Sequence, residues 1–231
     1  MHIRLTLLFT LLLFSTMTLA DGQRRYEVSI TNITKGQSFT PQLVAMHTSS
    51  VHLFTLGQPA SSSLELLAEG GDTEPLSADL IDMSNKVGEV TTIPGLLTPG
   101  QTAIVEISGR RRHRFLSMAA MLIPTNDTFV ALNHTRLPHR GSVTYTALAY
   151  DSGTEENDQN CAHIPGPRCI KEGEQGEGHS PGPNDSDEGF VYVSNGFHDL
   201  GEMDEKGNEI LGPLVYDWRN PVALVTIKRI R

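Results

Sequence analysis

The chain has 231 residues, 38% of them hydrophobic and 6% aromatic, with 27 acidic side chains against 18 basic ones and a formal net charge of −9. That length and apolar share suit one domain rather than two. The acidic balance argues against a protein devoted to gripping nucleic-acid backbone and suits one that binds cations.

Arg4 precedes an apolar run over residues 5–14, broken only by Thr6 and Thr10, and Thr18-Leu19-Ala20 makes a small-x-small ending before Asp21. This is the layout of a secretory signal peptide, residues 1–20, too short for a comfortable membrane anchor. It predicts a secreted or periplasmic protein, cleaved near Ala20, with a single domain over residues 21–231. The two cysteines, Cys161 and Cys169, would then meet an oxidising compartment, where so close a pair most simply forms a local disulfide. A metal site there lacks ligands, since the spacing is not C-x-x-C and His163 alone completes no set.

From Tyr26 the pattern turns to β structure. Tyr26, Val28 and Ile30 alternate with polar residues, and residues 43–46 and 51–56 are further short apolar runs. Residues 61–69 read as a helix, with serine N-cap candidates, Leu64, Leu66, Leu67 and Ala68, and an end at Gly70-Gly71. Residues 77–83 read as a weaker second helix. Ala103, Val105 and Ile107 alternate along 101–108, and 115–123 is a continuous apolar run that fits a strand buried on both faces. Residues 142–150 and 222–230 complete the set. Short strands punctuated by Gly, Pro and Asn predict an antiparallel β-sandwich with a short helical excursion. Residues 151–210 are strongly acidic, and the Gly/Pro/Glu-rich stretch 172–183 cannot bury much. An exposed acidic excursion is expected around 156–189, its start pinned by the cysteine bridge.

The sequence has no H-E-x-x-H or P-loop pattern. Ser194, His198 and Asp199 are the raw material of a hydrolytic triad, but closeness in sequence does not make triad geometry. Arg110, Arg111, Arg112 and Arg114 lie between two strong strands and read as a charged β-hairpin tip that keeps a turn soluble. The alternative is a grip on an anionic polymer or head group: sulfated glycan, lipopolysaccharide or phospholipid.

The acidic positions say more. Asp127 follows the apolar run 115–123, while Asp151 and Glu155 follow the strand 142–150. If those two strands run the same way, both loops emerge at one end and three carboxylates converge. Three close carboxylates repel one another, whereas Ca²⁺ takes six to eight oxygens from flexible loops. Asn126, Asn157 and Asp158 are further oxygen donors in reach.

These same residues resemble the spondin domain. The segment Ile123-Pro124-Thr125-Asn126-Asp127-Thr128-Phe129 and the motif Tyr150-Asp151-Ser152-Gly153-Thr154-Glu155 carry the likeness, the second more specifically. The ending at residues 221–230 is similar to the family's final strand, and Asn195-Gly196-Phe197-His198 and residues 216–221 look like its bacterial branch. The resemblance implies a sandwich like those of calcium-dependent phospholipid-binding modules, with one Ca²⁺ held by Asp127, Asp151 and Glu155. The chain departs from the family at Thr128, where a Trp is usual, and at Glu155, where Asp is frequent. The expected function is a non-enzymatic, calcium-binding module for extracellular matrix or cell-surface interaction, with an extracellular protein or glycan as partner. Alternatives are an anionic membrane or glycan binder and a hydrolase of unrecognised site. Asn32, Asn126, Asn133 and Asn184 begin N-x-Ser/Thr sequons, meaningful where exported proteins are glycosylated.

Overall fold

The computed structural model describes residues 22–166, 187–197, 203 and 210–230. The expected signal peptide and the Gly/Pro/Glu-rich stretch 172–183 lie outside them, as do Cys169, Asn184, His198 and Asp199.

The described residues form one antiparallel sheet. Its strands are β1 (Arg24–Asn32), β2 (Ser38–Phe39), β3 (Gln42–His47), β4 (Val87–Ile93), β5 (Thr102–Gly109), β6 (Phe115–Ile123), β7 (Thr128–Arg136), β8 (Ser142–Asp151), β9 (Tyr192–Val193) and β10 (Ala223–Arg229). The order across the sheet is β4-β3-β6-β7-β8-β10-β1-β5, with β2 paired to β6 and β9 to β8. The sheet curls until its first and last strands meet, closing a sandwich-like barrel. Where they meet, the Glu89 carboxylate on β4 accepts the Ser108 N–H at 2.6 Å and the Ser108 hydroxyl at 2.8 Å from β5.

Inside, alternate residues of every long strand interdigitate: Tyr26, Val28 and Ile30 from β1, Leu116, Met118 and Ala120 from β6, Val225 and Ile227 from β10. Outside, two helices cover β3, β6 and β7. These are α1 (Ser62–Gly70), capped by the Ser61 hydroxyl, and α2 (Glu74–Asp82). Leu64, Leu67, Leu76 and Leu80 pack on Leu43, Ala45, Ala119 and Phe129. This second core is why β6 reads as a continuous apolar run: both its faces are covered. A last short helix, α3 (Pro213–Tyr216), precedes β10.

Four expectations need correction. Residues 51–56 form no strand; they cross the outer face as irregular chain, clamped where Asn133 accepts the Leu53 N–H and donates to the Phe54 carbonyl. α2 begins three residues earlier than its apolar pattern suggests, because Pro75 fits a helix's first turn. Residues 128–136 carry an unforeseen central strand, β7, and residues 87–93 an unforeseen edge strand, β4.

The fourth correction concerns the arginine cluster, which is not a hairpin tip. β5 pairs with β1, and β6 with β3 and β7, so residues 110–114 link strands that are not paired. The link is pinned by His113, which is buried at 2% exposure. A Cβ on Gly88 would lie 2.4 Å from the His113 ring, and one on Gly109 2.9 Å. Those two positions leave room only for glycine.

Candidate metal centre

The topology brings the expected acids to one end. β7 runs antiparallel to both β6 and β8, so β6 and β8 point the same way and the loops that follow them emerge together. Along β8 the inward positions are Ala147, Ala149 and then Asp151. Period-two alternation thus drives a carboxylate into a position where the strand has been placing methyl groups. Thr128 lies opposite Asp151 in the β7–β8 register, which sets Asp127 beside it.

Asp127, Asp151 and Glu155 are all fully buried. One oxygen of Asp127 accepts from the Thr154 N–H at 2.8 Å, the Ser152 hydroxyl at 2.9 Å and the Glu155 N–H at 3.2 Å. The other, Oδ1, has no hydrogen-bond partner among the described residues. Asp151 accepts from the Gly153 N–H at 2.9 Å on one oxygen and from the Asn157 amide at 3.2 Å on the other. Burial pushes both aspartates above the ordinary carboxylate range. For Asp127 the hydrogen bonds pull the other way; for Asp151 the Asp127 charge adds to the rise. Neither makes an ion pair among the described residues.

The loop's glycine is a steric necessity. Gly153 has φ +66, and a Cβ there would meet the Phe190 carbonyl oxygen at 2.4 Å. Its openness lets residues 187–193 lie against the loop, with the Gly189 N–H bonded to the Gly153 carbonyl at 2.9 Å. That segment brings in Glu188 and Tyr192, which the sequence reading missed. The Tyr192 hydroxyl donates to Glu188 at 3.0 Å, and the Glu188 charge further raises Asp151. Nothing in local spacing marks Glu188; it arrives through the pairing of Asp151 with Tyr192.

The pair Asp127–Asp151 is therefore what the fold holds together, and Glu155 joins it through its backbone. Among the described residues no group of three or more His, Cys, Asp or Glu side chains is gathered as a metal cage. The neighbouring candidates have structural tasks. The Asn126 oxygen accepts the Gln159 N–H, and Asp158 accepts from Asn126 and pairs with His163.

A family model described as Spondin_N matches residues 29–163, from within β1 to just beyond Glu155. The chain belongs to the spondin N-terminal domain family. Spondin domains are generally extracellular, non-enzymatic modules, and the matched span contains Asp127, Asp151 and Glu155. No curated protein matches the chain in sequence. Glu188 and β10 lie beyond the span matched to the spondin model. Among the described residues, no helix is long and apolar enough to cross a membrane.

Other sequence candidates fall elsewhere. Ser194 is buried beside β8, its N–H bonded to Ala149, while the other two triad candidates lie outside the described residues. Cys161 is buried in a small cluster with Ile164, Leu211 and Tyr216. Three sequon asparagines have their amide nitrogens committed: Asn32 to Gln37 and Leu97, Asn126 to Asp158, Asn133 to Phe54. A glycan on any of them conflicts with the folded chain.

Proposed function

We propose that this chain is an exported, non-enzymatic module that holds one Ca²⁺ between the loops after β6 and β8 and serves attachment to an extracellular protein or glycan. Asp127 and Asp151 supply the carboxylates, with Glu155 completing the set from the loop that follows Asp151. The observation that carries this reading is a pair of fully buried carboxylates with no ion pair among the described residues and with one oxygen, Asp127 Oδ1, lacking any donor there. Buried charge without compensation is costly, and a divalent cation removes the cost that these two impose on each other. Oxygen donors from loops suit Ca²⁺, whereas Mg²⁺ demands a tighter octahedron and sheds water reluctantly.

The test is a thermal melt in EDTA and in about 1 mM Ca²⁺. With a dissociation constant of roughly 10⁻⁴–10⁻³ M, as in extracellular modules, the stabilisation is about 0.4–1.4 kcal/mol. Mg²⁺ should reproduce little of it. Asp151→Asn should lose the calcium increment yet match or exceed the wild type in EDTA, because the substitution relieves repulsion. Identical calcium responses from the two proteins would reject the site.

A further inference from the structure

We propose that the opposite end of the barrel is a binding site for a sulfated polysaccharide, built from arginines that the fold gathers from four separate stretches of chain. Arg24 opens β1, Arg114 precedes β6, Arg136 closes β7 and Arg229 closes β10. Strand directions put all four at the end remote from Asp127 and Asp151, together with Arg140 in the β7–β8 turn. All four of those strand-end arginines act electrostatically on one side chain, His139. A local charge run that merely solubilises a turn needs no such convergence.

The end is also shaped. Between the 109–113 link and the turn leading from α2 into β4 lies a polar cleft of about 410 Å³. Arg110 and Arg112 stand on one wall, Ser84 and Asn85 on the other, and the Glu89 carboxylate on the cleft's lining. This mixture selects among anions. Guanidinium groups take sulfate oxygens, often two at a time, while an amide, a hydroxyl and a carboxylate take sugar hydroxyls. A bare inorganic anion would use only the first kind and would be repelled by the carboxylate.

The remaining arginines lie where a polymer chain leaving the cleft would pass. Their loop is already ordered: the Tyr26 hydroxyl donates to the Pro138 carbonyl at 3.1 Å, the Tyr145 hydroxyl to Arg136 at 2.8 Å, and Arg229 to His139 at 2.9 Å. Preorganised loops lose little freedom on binding. Residues 109–114 and 137–141 expose no large apolar side chain, so these loops offer no wedge for a lipid surface.

The experiment uses the exported chain in EDTA with heparin as the probe, so that a failure of the calcium reading leaves it intact. Heparin should bind in about 0.1 M NaCl and release as salt rises, since the contact is charge on charge. The double variant Arg112→Gln/Arg140→Gln should bind at least tenfold more weakly while melting at the wild-type temperature. Arg136→Gln alone should weaken binding severalfold, although it lies outside the arginine run. Lys35→Gln, at the calcium end, should change nothing. The proposal is overturned if heparin binds no better than uncharged dextran, if Lys35→Gln loses as much as the double variant, or if vesicles containing phosphatidylglycerol bind where heparin does not.

Discussion

The two ends of this barrel handle like charge in opposite ways. At the acidic end, Asp127 and Asp151 are fully buried, side by side, and held by hydroxyl and amide donors from the loop after β8. At the basic end, Arg110, Arg111, Arg112, Arg136 and Arg140 stand exposed around ordered backbone. Carboxylates are compact and accept backbone N–H groups, so a tight loop can wrap them. Guanidinium groups sit on long stems and keep their heads in water. The difference is why the two proposals above take different kinds of ligand: a small ion for the enclosed carboxylates, an extended polymer for the exposed arginines.

The sharpest way to break this comparison is through glycine. Gly153 at the acidic end and Gly141 at the basic end have nearly the same backbone, φ +66 and φ +69. A Cβ on Gly153 collides with the Phe190 backbone, while one on Gly141 meets nothing within 4 Å. Gly153→Ala should therefore cost about 3 kcal/mol, combining a displaced Phe190 backbone with left-handed strain, and Gly141→Ala about 1 kcal/mol from the strain alone. Urea unfolding measures both. Equal losses would mean that the acidic loop is no more tightly enclosed than the basic one.

Acid pH separates the ends as well. His47 closes β3 near the basic end, its ring N–H donating to the Thr48 carbonyl while its other nitrogen faces the Ser117 hydroxyl. Burial, then the nearby His134 and His52, lower its pKa from 6.5 to about 4. Above pH 6.5 the ring is neutral folded or unfolded, and its contribution is fully present. As pH falls toward 4 the unfolded chain takes up the proton first, so stability declines, and below the folded pKa it levels off. The span is worth about 3 kcal/mol. Raised carboxylates at the other end act in the opposite sense, so the quantity to measure is wild type minus His47→Gln in denaturant titrations from pH 7.5 to 4. A flat difference would show that His47 takes up its proton as readily folded as unfolded.

Reduction should act on the acidic side alone. If Cys161 and Cys169 are bridged, their short ring contributes about 2–3 kcal/mol in the chain-entropy model. The loosening should stay near the cluster of Cys161, Ile164, Leu211 and Tyr216. Hydrogen exchange with and without reductant should show faster exchange there and none at residues 137–141. Two reactive thiols in denatured, unreduced protein would remove the bridge.

Much of this was legible in the sequence, and what was not has physical reasons. Strands β1, β5, β6, β8 and β10 announce themselves by alternation or by an unbroken apolar run. β7 does not: only Phe129, Val130, Ala131 and Leu132 are apolar before Asn133 and His134. There the ladder bulges, with His134 at φ 60 and its N–H turned to the Ser117 hydroxyl. Asp127 and Asp151 were legible because one follows an apolar strand and the other closes one. Their adjacency depends on β7, the strand that was not. Glu188 and the ring of arginines are products of tertiary pairing and leave no trace in local spacing. The arginine run invites a hairpin because it separates two strong strands, and sequence distance cannot tell paired strands from strands on different parts of a curled sheet.

The smallest predicted effect concerns the arginines themselves. Exposed like charges in water repel weakly, so replacing Arg111 and Arg140 by Ser should alter stability by no more than about 0.5 kcal/mol. Their field should still be measurable on a neighbour. His139 titrates below the ordinary histidine range, first through desolvation and then through Arg114, Arg24, Arg136 and Arg229. Arg136→Ser should raise its pKa toward 6.5, and added salt should raise it in the wild type by screening the same charges. An NMR titration of the His139 ring in low and high salt reads both. If neither salt nor the substitution moves it, the arginines do not act together at this end, and the contrast with the acidic end would rest on burial alone.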